Sequence, residues 1–153
     1  MSGPRSTVIQ GTLGNTVVYI DPDAMGSRVQ GFRITGGGGR PSPSAYGFDY
    51  YGGGVFCVAT AFISDCIIDG NGKGTPKVNS ATFGGAIYSG GGKLTVTNCL
   101  LSGNYAWASG GATLTENGSI ELDRCTVTGN DATVFYGQQG GLSVANGGQM
   151  VLK

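Results

Sequence analysis

The sequence predicts an all-β protein, a parallel β-helix (solenoid) of about four to five coils with variable loops stacked along one side. Three observations lead to this fold class. A motif recurs at intervals of 26 and 33 residues, apolar and polar residues alternate within each copy, and 31 of the 153 residues are glycine. Repeats of this length are typical of solenoids, in which one repeat forms one coil. Period-two alternation indicates strands rather than helices.

The repeated motif has two parts. Its first part begins with Gly-Gly and reads GGVFC, GGAIY, GGATL and GGLSV, starting at Gly53, Gly84, Gly110 and Gly140. Its second part ends on asparagine in ISDCIIDGN, VTNCLLSGN and LDRCTVTGN, and VQGFRITGG is an earlier copy without the asparagine. Between the end of the second part and the next Gly-Gly, 15, 12, 5 and 9 residues intervene. We therefore expect each coil to consist of a segment of constant length, which forms the wall of the solenoid, and one variable loop.

These spacings divide a single domain, residues 1–153, into coils at roughly 7–37, 38–71, 72–104, 105–130 and 131–153. The last strand stops within a coil, and an open parallel strand invites pairing. We expect the chain to be part of a longer solenoid, or to stack end to end with further coils or another chain.

Aligning the copies brings like side chains into columns, which parallel strands stack about 4.8 Å apart. One column contains Asn71, Asn104 and Asn130, and we expect a hydrogen-bonded ladder of asparagines in left-handed turn conformations. The Gly-Gly pairs are expected to form sharp corners at φ values that other residues avoid.

The cysteines show no CxxC pair and no metal-ligand spacing. Three of them, Cys66, Cys99 and Cys125, share one inward column. We expect buried free thiols that act as small hydrophobic groups. A redox or metal site is the alternative.

Composition excludes several functional classes. Lys plus Arg and Asp plus Glu number 9 each, so no basic excess is present to bind nucleic acid. The absence of histidine removes Ser-His-Asp triads and His-ligated metal sites. No metal or cofactor is expected. No run of about 18 apolar residues suits a membrane span, and the first ten residues lack the apolar core of an export signal.

Charged residues on the outer face of the wall are the catalytic candidates. Asp65, Asp69, Asp123 and Arg124 are the best of them, since Asp65 and Arg124 occupy one column and suggest a lyase-like cluster. Glu121 and Asp123 alternate on one strand face, as the carboxylate pair of an inverting glycosidase would. Solvated turn charges are the alternative interpretation.

Aromatic residues are concentrated in the variable loops, which hold nine of the fourteen. Because every loop leaves the coil at the same corner, the loops are expected to lie side by side. Such an aromatic surface suits sugar faces, protein partners or a larger assembly. The alternative is that the rings pack against one another to hold the loops down. The candidate ligand-binding residues are Tyr46, Phe48, Tyr50, Tyr51, Tyr105, Trp107, Phe135 and Tyr136, and Phe83 is the ninth loop aromatic.

The GGAI segment at Gly84–Ile87, followed by NCLLSGN, resembles the repeat of right-handed parallel β-helix proteins. These form the pectin-lyase-like superfamily, whose GGAI/asparagine repeats occur in chlamydial polymorphic membrane proteins and other bacterial surface proteins. The resemblance covers nearly the whole chain, from Val8 to Lys153. It implies a right-handed solenoid in an extracellular or surface-exposed bacterial protein, with the export signal outside this chain.

Three functions are compatible with these features. The first is a non-catalytic surface or secreted module, a scaffold for adhesion that binds a polysaccharide or a cell-surface protein through its aromatic loops. The second is a pectin-lyase-like polysaccharide lyase or glycoside hydrolase fragment acting on acidic polysaccharide. The third is a purely structural fibre or spike segment.

Overall fold

The computed structural model describes residues 7–45, 47–73, 82–132 and 140–153. Its regular elements are strands, and three parallel sheets of five strands each form the walls of a solenoid of about four turns. The chain passes from sheet 1 to sheet 2 to sheet 3 in each coil, and a variable loop then leads to the next coil. The all-β parallel solenoid is therefore confirmed.

The strands are assigned as follows. Sheet 1 contains β2 (Val18–Ile20), β7 (Val55–Cys57), β11 (Ile87–Ser89), β15 (Thr113–Glu116) and β19 (Leu142–Ala145). Sheet 2 contains β3 (Ser27–Gln30), β8 (Ala61–Ser64), β12 (Lys93–Thr97), β16 (Ser119–Asp123) and β20 (Gln149–Leu152). Sheet 3 contains β1 (Val8–Gln10), β4 (Arg33–Thr35), β9 (Ile67–Asp69), β13 (Leu100–Ser102) and β17 (Thr126–Thr128). The loops contribute β5 (Arg40–Ser44), β6 (Gly47–Tyr51), β10 (Thr82–Phe83), β14 (Tyr105–Ala106) and β18 (Asp131–Ala132).

The core is a set of apolar columns inside the coils. In sheet 2, Val96 pairs with Ile63 on one side and Leu122 on the other, and all three are buried. In sheet 3, Leu101 pairs with Ile68 and Val127 in the same way. These pairings match the alignment of the repeats. The columns face inward because every second residue of a strand points to the same face.

The register of sheet 1 differs from that alignment by one residue in two places. The Gly-Gly motifs align Val55 with Ala86 and Leu142 with Ala112, but Val55 pairs with Ile87 and Leu142 with Thr113. The cause is the corner between sheets 1 and 2, which is not constant in length.

The lengths of this corner follow from the strand pairing. The connections comprise residues 21–26, 58–60, 90–93, 116–119 and 145–149, between the paired positions of the two sheets. Each coil thus has two variable segments rather than the single one that was expected, and the second allows the coil length to change without disturbing either sheet.

Gly84 and Gly110 of the Gly-Gly corners adopt the expected left-handed conformation, with φ of 62° and 67°, but at the asparagine ladder this conformation lies elsewhere than expected. The ladder asparagines do not adopt it; the preceding glycines do, with φ of 64° at Gly70, 60° at Gly103 and 59° at Gly129. Glycine has no Cβ to clash in this region, so the turn costs least there. The asparagine side chain is then free to point inward along the ladder.

The inner face of sheet 1 carries buried hydroxyl groups. Ser89, Thr113 and Thr115 are 0% exposed, and within the described residues their hydroxyls have no hydrogen-bond partner. Ser89 and Thr115 are paired neighbours on adjacent strands. A buried polar group without a partner costs about 1–3 kcal/mol.

Thr115→Val should therefore raise the free energy of unfolding by about 1 kcal/mol, because valine has the same shape and no hydroxyl to desolvate. Urea unfolding monitored by circular dichroism measures the change. Thr82→Val is the control, since the Thr82 hydroxyl accepts a hydrogen bond from the Trp107 amide at 2.6 Å and its loss should destabilise the protein. A loss of stability in Thr115→Val would show that the Thr115 hydroxyl has a hydrogen-bond partner in the unmodified protein.

The loops form a small sheet of their own against sheet 1. β5 and β6 are an antiparallel hairpin, and β6 pairs in parallel with β10 from the next loop. Phe83 of β10 is bridged to Ser109 of the following loop. The variable loops are therefore stacked side by side, and we call β5, β6 and β10 the loop sheet.

Candidate functional site

The three asparagines form a continuous ladder through the coils. The Asn71 side-chain amide donates to Asn104 Oδ1 at 3.0 Å, and the Asn104 side-chain amide donates to Asn130 Oδ1 at 2.8 Å. Gly37, in the same column, donates its backbone N–H to Asn71 Oδ1 at 3.1 Å. Asn71 and Asn104 are buried, so this column holds the coils together and is not accessible to a ligand.

The cysteine column lies at the corner between sheets 2 and 3, where Cys66 and Cys99 are buried and Cys125 is half-buried. Cys66, Cys99 and Cys125 are free thiols, and each donates to the carbonyl two residues earlier, at 3.1, 3.2 and 3.4 Å respectively. The fourth, Cys57, is also free, and burial raises the pKa of its thiol. Among the described residues, no group of three or more potential ligands is positioned to hold a metal ion.

The catalytic candidates do not form one cluster. Asp65 and Arg124 line the same open surface depression at the corner between sheets 2 and 3, and Arg124 is ion-paired with Asp123 at 3.3 Å. Asp69 does not belong to this group. It lies in sheet 3, where two nitrogens of Arg33 bind its carboxylate at 2.7–3.2 Å.

Asp65 is held as an ionised carboxylate. It accepts hydrogen bonds from the side-chain amides of Asn98, at 2.7 Å, and Gln30, at 2.8 Å. These bonds, together with the charge of Arg124, lower its pKa. Asp65, Asn98 and Arg124 also share a left-handed backbone conformation, with φ of 54°, 53° and 51°. The three residues of this column therefore share one turn geometry that repeats from coil to coil.

Glu121 is neutralised from two sides. Lys153 lies 2.8 Å and Lys93 3.0 Å from its carboxylate, and both lower its pKa. A glycosidase needs one carboxylic acid whose pKa is raised so that it can protonate the leaving group. The lowered pKa of Glu121 is the opposite of what such an acid requires.

The aromatic rings fall into two groups. The first group packs between the loop sheet and the outer face of sheet 1 and consists of Tyr19, Phe56, Tyr88, Tyr51 and Phe83, which we call the aromatic strip. Successive ring centroids are 4.9–5.6 Å apart. The guanidinium of Arg40 covers the Tyr19 ring at 4.1 Å. Tyr51 and Phe83 thus hold the loop sheet down on the solenoid.

A hydrogen bond anchors the strip at Tyr88, its middle ring. The Tyr88 hydroxyl donates to Glu116 at 2.9 Å, and the Asn146 side-chain amide donates to the same carboxylate at 3.0 Å. Burial and the neighbouring Glu116 both raise the pKa of Tyr88, so this tyrosine keeps its proton and remains a donor.

The second group faces away from sheet 1. Because alternate residues of a strand point to opposite faces, Phe48 and Tyr50 lie on the opposite face of β6 from Tyr51. Their partners on β5 are Pro43 and Pro41, which share that face. Phe48 is 52% exposed, and both prolines are exposed. We call these four residues the Pro–aromatic face.

Of the other candidates, Tyr105 and Trp107 contact each other edge-on, with centroids 6.3 Å apart. Tyr46, Phe135 and Tyr136 lie outside the described residues.

The strand members of the strip, Tyr19, Phe56 and Tyr88, were not among the residues predicted to form a site. A signal for them exists: VYI, VFC and IYS each carry an aromatic residue at the centre. The one-residue error in the alignment of sheet 1 placed Phe56 beside Ile87 and hid the column.

The described part of the chain contains no helix long and apolar enough to cross a membrane. No protein-family model, curated protein or solved structure matches this chain. Its assignment to the parallel β-solenoids therefore rests on the strand pairing described above.

Proposed function

We propose that this protein is a non-catalytic β-solenoid module, secreted or displayed on a bacterial surface, that binds polysaccharide through the Pro–aromatic face. The observation that carries the proposal is the exposure of Phe48 beside Tyr50 and the two prolines on a sheet that is fixed to the solenoid. A flat apolar surface with few charges suits the faces of sugar rings.

The rigidity of this surface supports a role in binding. Tyr51 stacks on Phe83 at 5.0 Å and meets Tyr88 edge-on at 4.9 Å, so the inner face of the loop sheet is packed against sheet 1. A surface that is ordered before binding loses less conformational entropy when the ligand arrives. The strip therefore supports the Pro–aromatic face rather than contacting the ligand.

The state of the carboxylates favours binding over catalysis. Asp65, Asp69 and Glu121 each accept two or more hydrogen bonds or ion pairs, and these interactions lower the pKa of Asp65 and of Glu121. The alternative, a lyase of acidic polysaccharide, draws its support from Asp65 and Arg124 in one depression.

The double variant Phe48→Ala/Tyr50→Ala should weaken polysaccharide binding at least about tenfold, because it removes the two rings of the Pro–aromatic face. The measurement is a pull-down against a panel of insoluble neutral and acidic polysaccharides, followed by calorimetry on those that bind. Met25→Ala, which also truncates an exposed apolar side chain, serves as the control and should bind like the unmodified protein.

Two results would contradict the proposal. Equal binding by the double variant and the control would place the ligand elsewhere, and absence of binding across the panel would remove polysaccharide as the ligand class. Release of unsaturated or reducing ends from acidic polysaccharide, lost in Asp65→Asn, would instead establish the lyase.

A further inference from the structure

Three asparagines in the chain are followed by glycine: Asn71, Asn117 and Asn146. This dipeptide is chemically labile because glycine has no side chain to shield its backbone nitrogen. That nitrogen attacks the asparagine side-chain carbonyl when the peptide group between the two residues rotates into position. Hydrogen bonds to the peptide group or the carboxamide oppose this rotation. The three pairs differ strongly in such bonds.

Asn71 and Gly72 are restrained at every polar group. Asn71 is 0% exposed, and its carboxamide belongs to the ladder. Its carbonyl accepts the Tyr105 N–H at 2.9 Å, and the Gly72 N–H donates to the Gly37 carbonyl at 2.7 Å. The attacking nitrogen is therefore already bonded.

Asn146 and Gly147 are restrained in part. The Asn146 carboxamide donates to Glu116, and its carbonyl accepts the Asn117 N–H at 3.3 Å. The two residues occupy the centre of a turn closed by a hydrogen bond from Gly148 to Ala145 at 2.9 Å. Their φ values of 49° and 76° match a type I′ turn.

Asn117 and Gly118 are the least restrained pair. Asn117 is exposed at the corner between β15 and β16. Within the described residues, neither its carboxamide, nor its carbonyl, nor the Gly118 N–H takes part in a hydrogen bond. Among the described residues, the peptide group that must rotate thus has no hydrogen bond at its oxygen or its nitrogen, whereas the flanking Asn117 N–H and Ser119 N–H are held.

We infer that Asn117 is a site of spontaneous deamidation in the folded protein. The Gly118 nitrogen forms a bond to the Asn117 side-chain carbonyl carbon, ammonia leaves, and a five-membered succinimide results. Water then opens the ring at either carbonyl, giving aspartate or isoaspartate. The overall reaction consumes one water and releases one ammonia, and it needs no oxidant, metal or enzyme.

The location of Asn117 lets the solenoid accommodate the product. Isoaspartate lengthens the backbone by one methylene group, and the corner between sheets 1 and 2 already varies from residues 58–60 in one coil to residues 21–26 in another. Either product also places a carboxylate beside Glu116, which holds the Tyr88 hydroxyl. Deamidation therefore adds negative charge near Tyr88 of the aromatic strip without unfolding the coil.

Peptide mapping of the full-length protein tests this inference. The protein is incubated at mildly alkaline pH, sampled over days and digested with trypsin, which leaves the three asparagines on separate peptides ending at Lys73, Arg124 and Lys153. Mass spectrometry should show deamidation of Asn117 at least about tenfold faster than that of Asn71, with Asn146 between them. In concentrated urea the three rates should converge, because the restraining hydrogen bonds are lost.

Asn117→Gln provides a second measurement, since glutamine cyclises much more slowly than asparagine. This variant should lose the fastest component of ammonia release and keep the slower one from Asn146. Equal rates at the three sites in the folded protein would overturn the inference. So would an intact Asn117 in folded protein that deamidates normally in urea.

Discussion

Asn104→Leu is expected to lower the free energy of unfolding by about 4 kcal/mol, since an unpaired buried polar group costs about 1–3 kcal/mol and several are created at once. Asn104 is 1% exposed and connects two coils. Its amide donates to the Ile68 carbonyl at 2.8 Å and to Asn130, and its Oδ1 accepts from both the backbone and the side chain of Asn71. Leucine has a similar volume but replaces none of these bonds.

Urea unfolding followed by far-ultraviolet circular dichroism measures this effect. Asn130→Leu is the matched control at the exposed end of the ladder. Its side-chain amide donates to the Leu101 and Thr128 carbonyls, and its Oδ1 accepts from the backbone and the side chain of Asn104. Because Asn130 is only half-buried, water is able to replace the lost partners. We expect a loss below about 2 kcal/mol there. Equal losses of unfolding free energy at the two positions would mean that burial does not determine how much each asparagine stabilises the ladder.

Gly85→Ala should destabilise the protein by about 3 kcal/mol or more, because it forces a methyl group into a filled space. A Cβ on Gly85 would lie far inside contact distance of the carbonyl oxygens of Tyr105 and Gly111. Both atoms belong to the backbone of the next coil, so they cannot move away without separating the two coils. The φ of Gly85 lies outside the left-handed region, and the cost is therefore steric.

Gly140→Ala supplies the control for this prediction. Gly140 occupies the same column of sheet 1, two positions before Leu142, which pairs with Thr113. A Cβ there would meet no atom of the described residues within 4 Å. Its thermal unfolding midpoint should match that of the unmodified protein, whereas Gly85→Ala should unfold at a much lower temperature or accumulate in inclusion bodies. Similar behaviour of the two variants would contradict the steric explanation.

Much of the fold could be predicted from the sequence because the solenoid repeats its columns. The asparagine and cysteine positions determined the alignment of sheets 2 and 3, because the spacing from cysteine to asparagine is the same in all three copies that have both residues. Sheet 1 has no such invariant residue near it, and the corner at residues 90–93 is one residue longer than that at residues 58–60. An alignment on Gly-Gly alone cannot detect this difference.

The candidate site was predictable only in part. Phe48, Tyr50 and Tyr51 were all assigned to a ligand surface from their position in a loop. Their separation into an exposed face and a packed face depends on the hairpin of β5 with β6, which the sequence analysis did not anticipate. The prolines of β5 were overlooked for the same reason, since their relevance depends on the strands with which they pair.

Those two prolines also determine how the molecule can associate with others. β5 is the outer strand of the loop sheet, and a strand in that position ordinarily offers both N–H donors and carbonyl acceptors to a passing chain. Pro41 and Pro43 carry no N–H, so a foreign strand meets acceptors without matching donors. The β5 edge of the loop sheet is therefore a poor template for pairing with a strand of another chain.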